Sequence, residues 1–341
     1  MVARVSNPPH PFESRYVEWE EIPLAELEVY EEDVGRALSE NQSPDLPFRY
    51  SLNPYRGCFH ACAYCYARPS HHYLGWGSGT DFDRKIVVKR NIVALLRREL
   101  QNLRPPCGAI AFSGVTDCYQ PVEALYRLTR ACLALCLEHR VPVSIISKSL
   151  LLRRDLDLLQ QMAAEGLIDV HLSIAFARDA ERKRLEPFAS PIDKRFETLE
   201  LLAAAGVPVG VALSPLIPGL NEADVPEILT RAKRAGATYA WMTLLRVSKA
   251  LWPVFEERMR EAFPMRCERV FRAMREFRGG ALHESAFGKR MRGEGPRFEV
   301  VEGLFEMSCR RLGLERRSPL ERRMALPREE RVEAQLSLGI S

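Results

Sequence analysis

The chain has 341 residues, 46% hydrophobic and 28% charged, enough for one large α/β domain with appendages and unlike a disordered composition. No apolar run approaches the roughly 18–20 residues of a membrane span, and the first twenty residues show no apolar leader, so a cytoplasmic protein without a membrane partner is expected. The net charge of +4 is uneven: residues 1–48 hold three basic and eleven acidic side chains, and the rest is basic. That pattern suits a polyanionic partner such as DNA or RNA, and it equally suits an acidic arm folded back on a basic body.

Residues 1–48 read as a partly ordered extension with one short amphipathic stretch, EIPLAELEVYEEDV. SLNPYRGC leads into a cysteine-bearing loop, and FDRKIVVKRN holds a short strand. NIVALLRRELQNL has helical spacing of apolar residues, stopped by Pro105 and Pro106. A repeat follows. GAIAFSGV is a strand, EALYRLTRACLALCLEH a helix, VPVSIIS a strand and RRDLDLLQQMAAEG a helix closed by Gly166. IDVHLSIAF, PIDKRFETLELLAAAG, VPVGVALSPLIPG, VPEILTRAKRAG and ATYAWMTLL continue the alternation. Strands separated by helices of this size predict βαβ units and a parallel sheet of about six strands, counting one beside the cysteine loop. Right-handed crossovers curl such a sheet into a barrel or partial barrel, with chemistry at the C-terminal strand ends. Beyond Leu245 the pattern turns helical and Arg-rich. Three segments are therefore expected: an extension over 1–48, a barrel over 49–245 and a helical region over 246–341.

Nine cysteines in a reducing compartment read as metal ligands where clustered and as small core residues where scattered. Cys132 and Cys136, four apart on an apolar helical face, read as core; Cys107, Cys267 and Cys309 are isolated. Cys58, Cys62 and Cys65 form C-x3-C-x2-C in RGCFHACAYCYAR. Three thiolates on a four-iron cluster leave one iron for a small chelating molecule. The alternatives are an electron-transfer cluster and a structural zinc completed by His60, His71 or His72.

The cysteine run, with Tyr64 directly before the third cysteine, resembles the signature of the radical SAM superfamily. The resemblance implies a partial (β/α)6 barrel and two cofactors, a 4Fe–4S cluster on the three cysteines and S-adenosylmethionine (SAM). It also implies a one-electron reductant of flavodoxin or ferredoxin type. By that resemblance Tyr64 packs by the SAM adenine. The strand end FSGVTDC carries the amino-group motif, with Ser113 and Gly114 admitting the backbone and Thr116 and Asp117 offering hydrogen bonds. Asp117 also suits a helix N-cap.

With FGKRMRGEG and RFEVVEGLFEMSCRRLGL, the chain resembles a bacterial radical SAM group related to spore photoproduct lyase over roughly residues 49–312. There Lys148 would pair with the SAM carboxylate, Ser173 would bond the carboxylate or ribose, and Leu216 or Ile217 would pack on adenine. Cys118 lies near the place where that lyase uses a cysteine to donate hydrogen, but on the other side of Asp117; packing is the other reading. RDAERKRLEP reads as a solvated loop or as a closing loop carrying Arg182, Arg184 and Glu186. The segment Arg290–Met291–Arg292 would bind phosphate or cap the barrel. The substrate is open between a nucleic-acid base and a small molecule or protein, and a zinc-stapled, nonenzymatic nucleic-acid binder is the rival of another class.

Overall fold

The computed structural model describes residues 26–103, 108–284 and 286–324. Its strands are β1 (Glu28–Glu32), β2 (Leu38–Glu40), β3 (Tyr50–Leu52), β4 (Tyr55–Arg56), β5 (Lys85–Lys89), β6 (Ile110–Phe112), β7 (Val143–Ser147), β8 (Ile168–Ser173), β9 (Val209–Leu216) and β10 (Tyr239–Leu244). Seven form one sheet in the order β10-β9-β8-β7-β6-β3-β2, and β1-β5-β4 form a second. In the larger sheet the six strands from β3 to β10 are parallel, and β2 is antiparallel to β3. The expected α/β architecture with a strand before the cysteine loop is present, with β3 as that strand.

Residues paired across the strands share a face. Ile110, Val143, Val170 and Val211 lie on the face packed by helices and are fully buried. The opposite face is small and polar. Ala111 pairs with Ser144, Ser144 with Asp169, His171 with Gly210 and Ala212 with Trp241. Gly210 is required there, because a Cβ would stand 2.2 Å from the Tyr239 ring.

Two expectations change. Within the extension read as partly ordered, the acidic stretch 28–32 is a regular strand that pairs in parallel with β5. It is held by Glu32 to Arg56 at 2.5 Å and by Asp33 to Arg90 at 2.9 Å. Over residues 26–48 the acidic arm is thus folded onto the basic body. The helix expected over 123–139 is two, Glu123–Tyr126 and Leu128–Glu138, with Arg127 at φ +52° between them. The buried Glu123 carboxylate accepts the Thr129 amide at 2.9 Å and so serves the second helix start. The region after β10 is helical as read, with Trp252–Ala262, Cys267–Glu276 and Pro296–Leu312. Cys132 and Cys136 are fully buried core residues, and Cys107 lies outside the described residues. No helix among the described residues is long and apolar enough to cross a membrane.

Candidate active site

The cysteine loop follows β4 and is wound by short turns. Ala61 N–H donates to the Cys58 carbonyl at 3.2 Å, and Cys65 N–H to the Cys62 carbonyl at 3.2 Å. Gly57 at φ +74° makes the entry, where a Cβ would stand 2.9 Å from two carbonyl oxygens. Arg68, fully buried, is the loop's internal brace. It donates to Cys62 O at 3.0 Å and Gly79 O at 2.9 Å, and pairs with Asp83 at 2.8 Å. Gln120 clamps the other side, accepting from Phe59 N–H and donating to Gly57 O, both at 3.0 Å.

The result is a loop whose thiols act on one another: Cys62 and Cys65 both raise Cys58, and Cys65 raises Cys62. Burial pushes Cys58 well above its ordinary value, with Asp117, Cys62 and Cys65 adding to it. Burial likewise pushes Cys62 up to about 12, against the pull of Lys148. Such thiols become thiolates when a cation compensates them. Cys58 and Cys62 are 8% exposed, and no disulfide links any of the three. A donor set of three unpaired thiols on one wound loop, two of them buried and the third partly so, fits an iron–sulfur cluster. A zinc staple would need a fourth ligand: His60 Nδ1 lies on Asp117 and His71 Nε2 on Lys85 O at 3.0 Å, which leaves the other ring nitrogen of each histidine to consider. Among the described residues no three Cys, His, Asp or Glu side chains converge tightly enough for one ion.

Beside the thiols, a polar network joins the ends of β6, β7 and β8. Lys148 Nζ donates to Ser173 Oγ at 2.9 Å and lies 5.8 Å from the centre of the Tyr64 ring. The Tyr64 hydroxyl donates to Glu186, whose other oxygen takes Arg195 Nη2 at 2.5 Å. Arg195 Nη1 returns to Ser173 O at 2.8 Å. Burial works to raise the Glu186 carboxyl, but Arg195 and Lys148 outweigh it and hold it below the usual range. Asp117 accepts from Lys148 N–H at 2.7 Å, Ser147 Oγ at 2.8 Å and Tyr119 N–H at 2.9 Å, and lies 3.3 Å from His60. Burial would raise it too; His60 and these donors bring it down to about 2.

The expected SAM residues thus divide. Tyr64, Asp117, Lys148 and Ser173 converge beside the cysteines. Asp117 is not a helix cap; its donors tie two strand ends together and fill most of its acceptor capacity. Ser113 and Gly114 share the β6 end, and the strained φ of +72° falls on Ser113, whose Oγ accepts the Cys118 amide at 3.0 Å. Thr116 turns away, with its hydroxyl on Tyr55 O at 3.3 Å. Leu216 and Ile217 are at most 1% exposed, packed in the core. Cys118 is fully buried in the same core, and burial pushes its thiol far up. The segment 178–187 is solvated on one side only. Asp179–Leu185 is helical, Arg182 and Glu186 are buried, and Leu185 O accepts Ala63 N–H at 2.9 Å, so it clasps the cysteine loop.

Sequence reasoning missed Arg68, Gln120 and Arg195; it gave Glu186 to a closing loop and His60 to a zinc alternative, and not to the network they join here. It also missed the inner face. Trp241 Nε1 donates to His171 Nδ1 at 2.9 Å, while His171 Nε2 faces Ser144 Oγ at 3.2 Å and Asp169 at 3.3 Å. Indole only donates, so Nδ1 is the acceptor and the neutral ring carries its proton on Nε2. The period-two alternation in VSIIS and IDVHLS was the available signal.

Comparison with known proteins accords with this arrangement. A model of the Radical SAM superfamily matches residues 52–232. An uncharacterized protein of Mycobacterium tuberculosis is 37% identical over 195 residues, 57% of each chain. One of Methanocaldococcus jannaschii is 34% identical over 179 residues, 52% of this chain and 63% of the other. The chain therefore spans less than two thirds of the length of these relatives. A radical SAM Nalpha-GlyT isomerase of Pseudomonas phage M6 is 23% identical over 213 residues, 62% of this chain and 42% of that one. A solved spore photoproduct lyase mutant superposes with a TM-score of 0.63 at 17% identity, over 84% of this chain and 81% of that one. At that identity the likeness is one of fold. With the family model covering just over half of the chain on the strands and loop that build this site, the protein belongs to the radical SAM superfamily.

Proposed function

We propose that the chain is a radical SAM enzyme that binds a 4Fe–4S cluster on Cys58, Cys62 and Cys65 and SAM beside Lys148 and Ser173. The observation that carries this reading is the secluded thiol triad next to the Lys148–Ser173 pair at the C-terminal ends of β7 and β8. When bound, the cluster and SAM supply reductive cleavage to methionine and a 5′-deoxyadenosyl radical that takes hydrogen from substrate. The chain's own part is positioning and seclusion. The Lys148 ammonium and Ser173 hydroxyl offer a carboxylate one cation and one donor. Asp117 fixes the Lys148 backbone, and Glu186 with Arg195 fixes Tyr64 and Ser173 from below. The buried loop keeps water from the reacting atoms. A flavodoxin- or ferredoxin-like protein would deliver the electron.

For the substrate we favour a nucleic-acid base. The basic body and the spore photoproduct lyase architecture support this reading, the latter as fold analogy. Anaerobic reconstitution tests the cofactor. It should give broad absorbance near roughly 400 nm and 5′-deoxyadenosine on reduction; stoichiometric zinc with neither signal would defeat it. Cys62→Ala should keep its circular dichroism and lose 5′-deoxyadenosine formation.

A further inference from the structure

The larger sheet is open: β10 and β2 are its two edges. Residues 278–284 and 286–290 lie between these edges, touching the chain just past the end of β10 on one side and the β2–β3 loop, which leads into the start of β3, on the other. Arg278 Nη2 donates to Leu245 O at 2.7 Å, just past the end of β10, and reaches Arg290 O at 3.4 Å. Arg290 donates to Asp45 Oδ2 and Ser43 Oγ, both at 2.5 Å, in the loop after β2. Gly288 N–H adds a bond to Asp45 at 2.6 Å.

Arg246, next to Leu245, stands at this bridge. It is half-buried, with Arg290, Tyr66 and Asp45 as its charged or titratable neighbours, and no hydrogen bond or ion pair engages its guanidinium among the described residues. Tyr66 follows the cluster cysteine Cys65 and donates to Gly114 O at the β6 end, so one of Arg246's charged or titratable neighbours belongs to the cysteine loop. Arg278 is 8% exposed, and its Nη1 is a buried donor without a partner. Asp45 and Glu284 are the acids in reach of the three guanidiniums. A buried donor and an uncompensated, half-desolvated cation cost free energy unless an anion meets them.

We infer that Arg246, Arg278 and Arg290 form a phosphate-binding subsite on the barrel rim, holding a phosphate of the molecule whose reacting atoms lie in the barrel. The open Arg246 guanidinium and the unpartnered Arg278 Nη1, beside the Arg290 cation, offer several donors and net positive charge, which match a phosphate's several oxygens better than a carboxylate's two. The role assigned to the phosphate rests on the radical SAM reading above; the binding site itself does not.

The test uses the reconstituted full chain with three probes: inorganic phosphate, a nucleoside 5′-monophosphate and a labelled single-stranded oligodeoxynucleotide. Arg246→Ala should weaken oligonucleotide binding about tenfold or more and lower the salt slope by about one. Arg246→Lys should fall between. Arg292→Ala, which removes a surface charge paired with Glu302 at 2.7 Å, should leave affinity within about twofold. Without ligand, Arg246→Ala should melt no lower than wild type, and inorganic phosphate should raise the melting temperature of wild type only. If phosphate and monophosphate bind through Arg246 and the oligonucleotide does not, the site stands and its ligand is a small phosphate ester. Equal losses in Arg246→Ala and Arg292→Ala, preference for acetate over phosphate, or binding of none of the probes at low salt would overturn it. SAM cleavage on the same samples separates the two ideas: phosphate binding without 5′-deoxyadenosine leaves the subsite standing and removes the radical SAM reading.

Discussion

Two halves of the barrel mouth are built by opposite rules. Around the cysteines, the main charged side chains are buried and answered: Arg68 by Asp83, Arg195 by Glu186, Asp117 by His60 and two strand-end donors. Across the opening of the sheet, Arg246 has no hydrogen-bond or ion-pair partner among the described residues, Arg278 Nη1 is a buried donor without one, and a few bonds bridge the sheet edges. The first half is finished before any ligand arrives, as radical chemistry demands of a site that must not move. The second leaves Arg246 and one Arg278 nitrogen unspent, which is what a surface awaiting a ligand looks like.

The largest expected break of this contrast is Arg68→Ala. It leaves Asp83 buried without its cation and frees three carbonyls, so it should cost about 3–5 kcal/mol in denaturant unfolding and empty the cluster site. Gly57→Ala follows. Its Cβ meets two carbonyls at 2.9 Å and its φ is positive, so a loss of about 1–3 kcal/mol and reduced iron per chain are expected, with a near-native circular dichroism spectrum. Lys148→Ala removes a half-buried cation that a SAM carboxylate would use. SAM affinity by equilibrium binding should drop by a factor of about 10 or more, with the cluster absorbance intact; unchanged affinity would put the carboxylate elsewhere.

The smallest effect lies in the bridging loop. Burial would raise the Asp45 carboxyl, yet the Gly288 amide and Arg290 outweigh it and hold it below the ordinary carboxylate value. Its contribution to the bridge is therefore complete above about pH 4 and is lost as pH falls through the depressed pKa. Hydrogen exchange over residues 286–292 should be slow at pH 7, and after correction for intrinsic rates faster at pH 3. Asp45→Asn should show the faster exchange at both.

The sheet was legible because βαβ units print their period on the sequence, and Gly166 marks a helix end by the left-handed turn it permits. The cluster was legible because its ligands are contiguous. The network behind it was not. Glu186 meets Tyr64 across 122 residues, and a run such as RDAERKRLEP looks solvated until its partners are placed. Short acidic strands escaped for a related reason: Glu28–Glu32 is exposed along most of its length, so pairing with β5 rather than an apolar face defines it. The inner face escaped because serine, alanine and glycine are read as turn or filler residues, whereas here their smallness is spatial.

The bridge between Leu245 and Asp45 also bears on how a long molecule would get in. A barrel closed all round is a well, entered from its end. One whose wall is interrupted, and spanned at the lip by two arginine side chains, is a well with a side slit. A segment in the middle of a polymer can be laid into such a slit without either terminus being threaded, and released by parting one ion pair and a few hydrogen bonds.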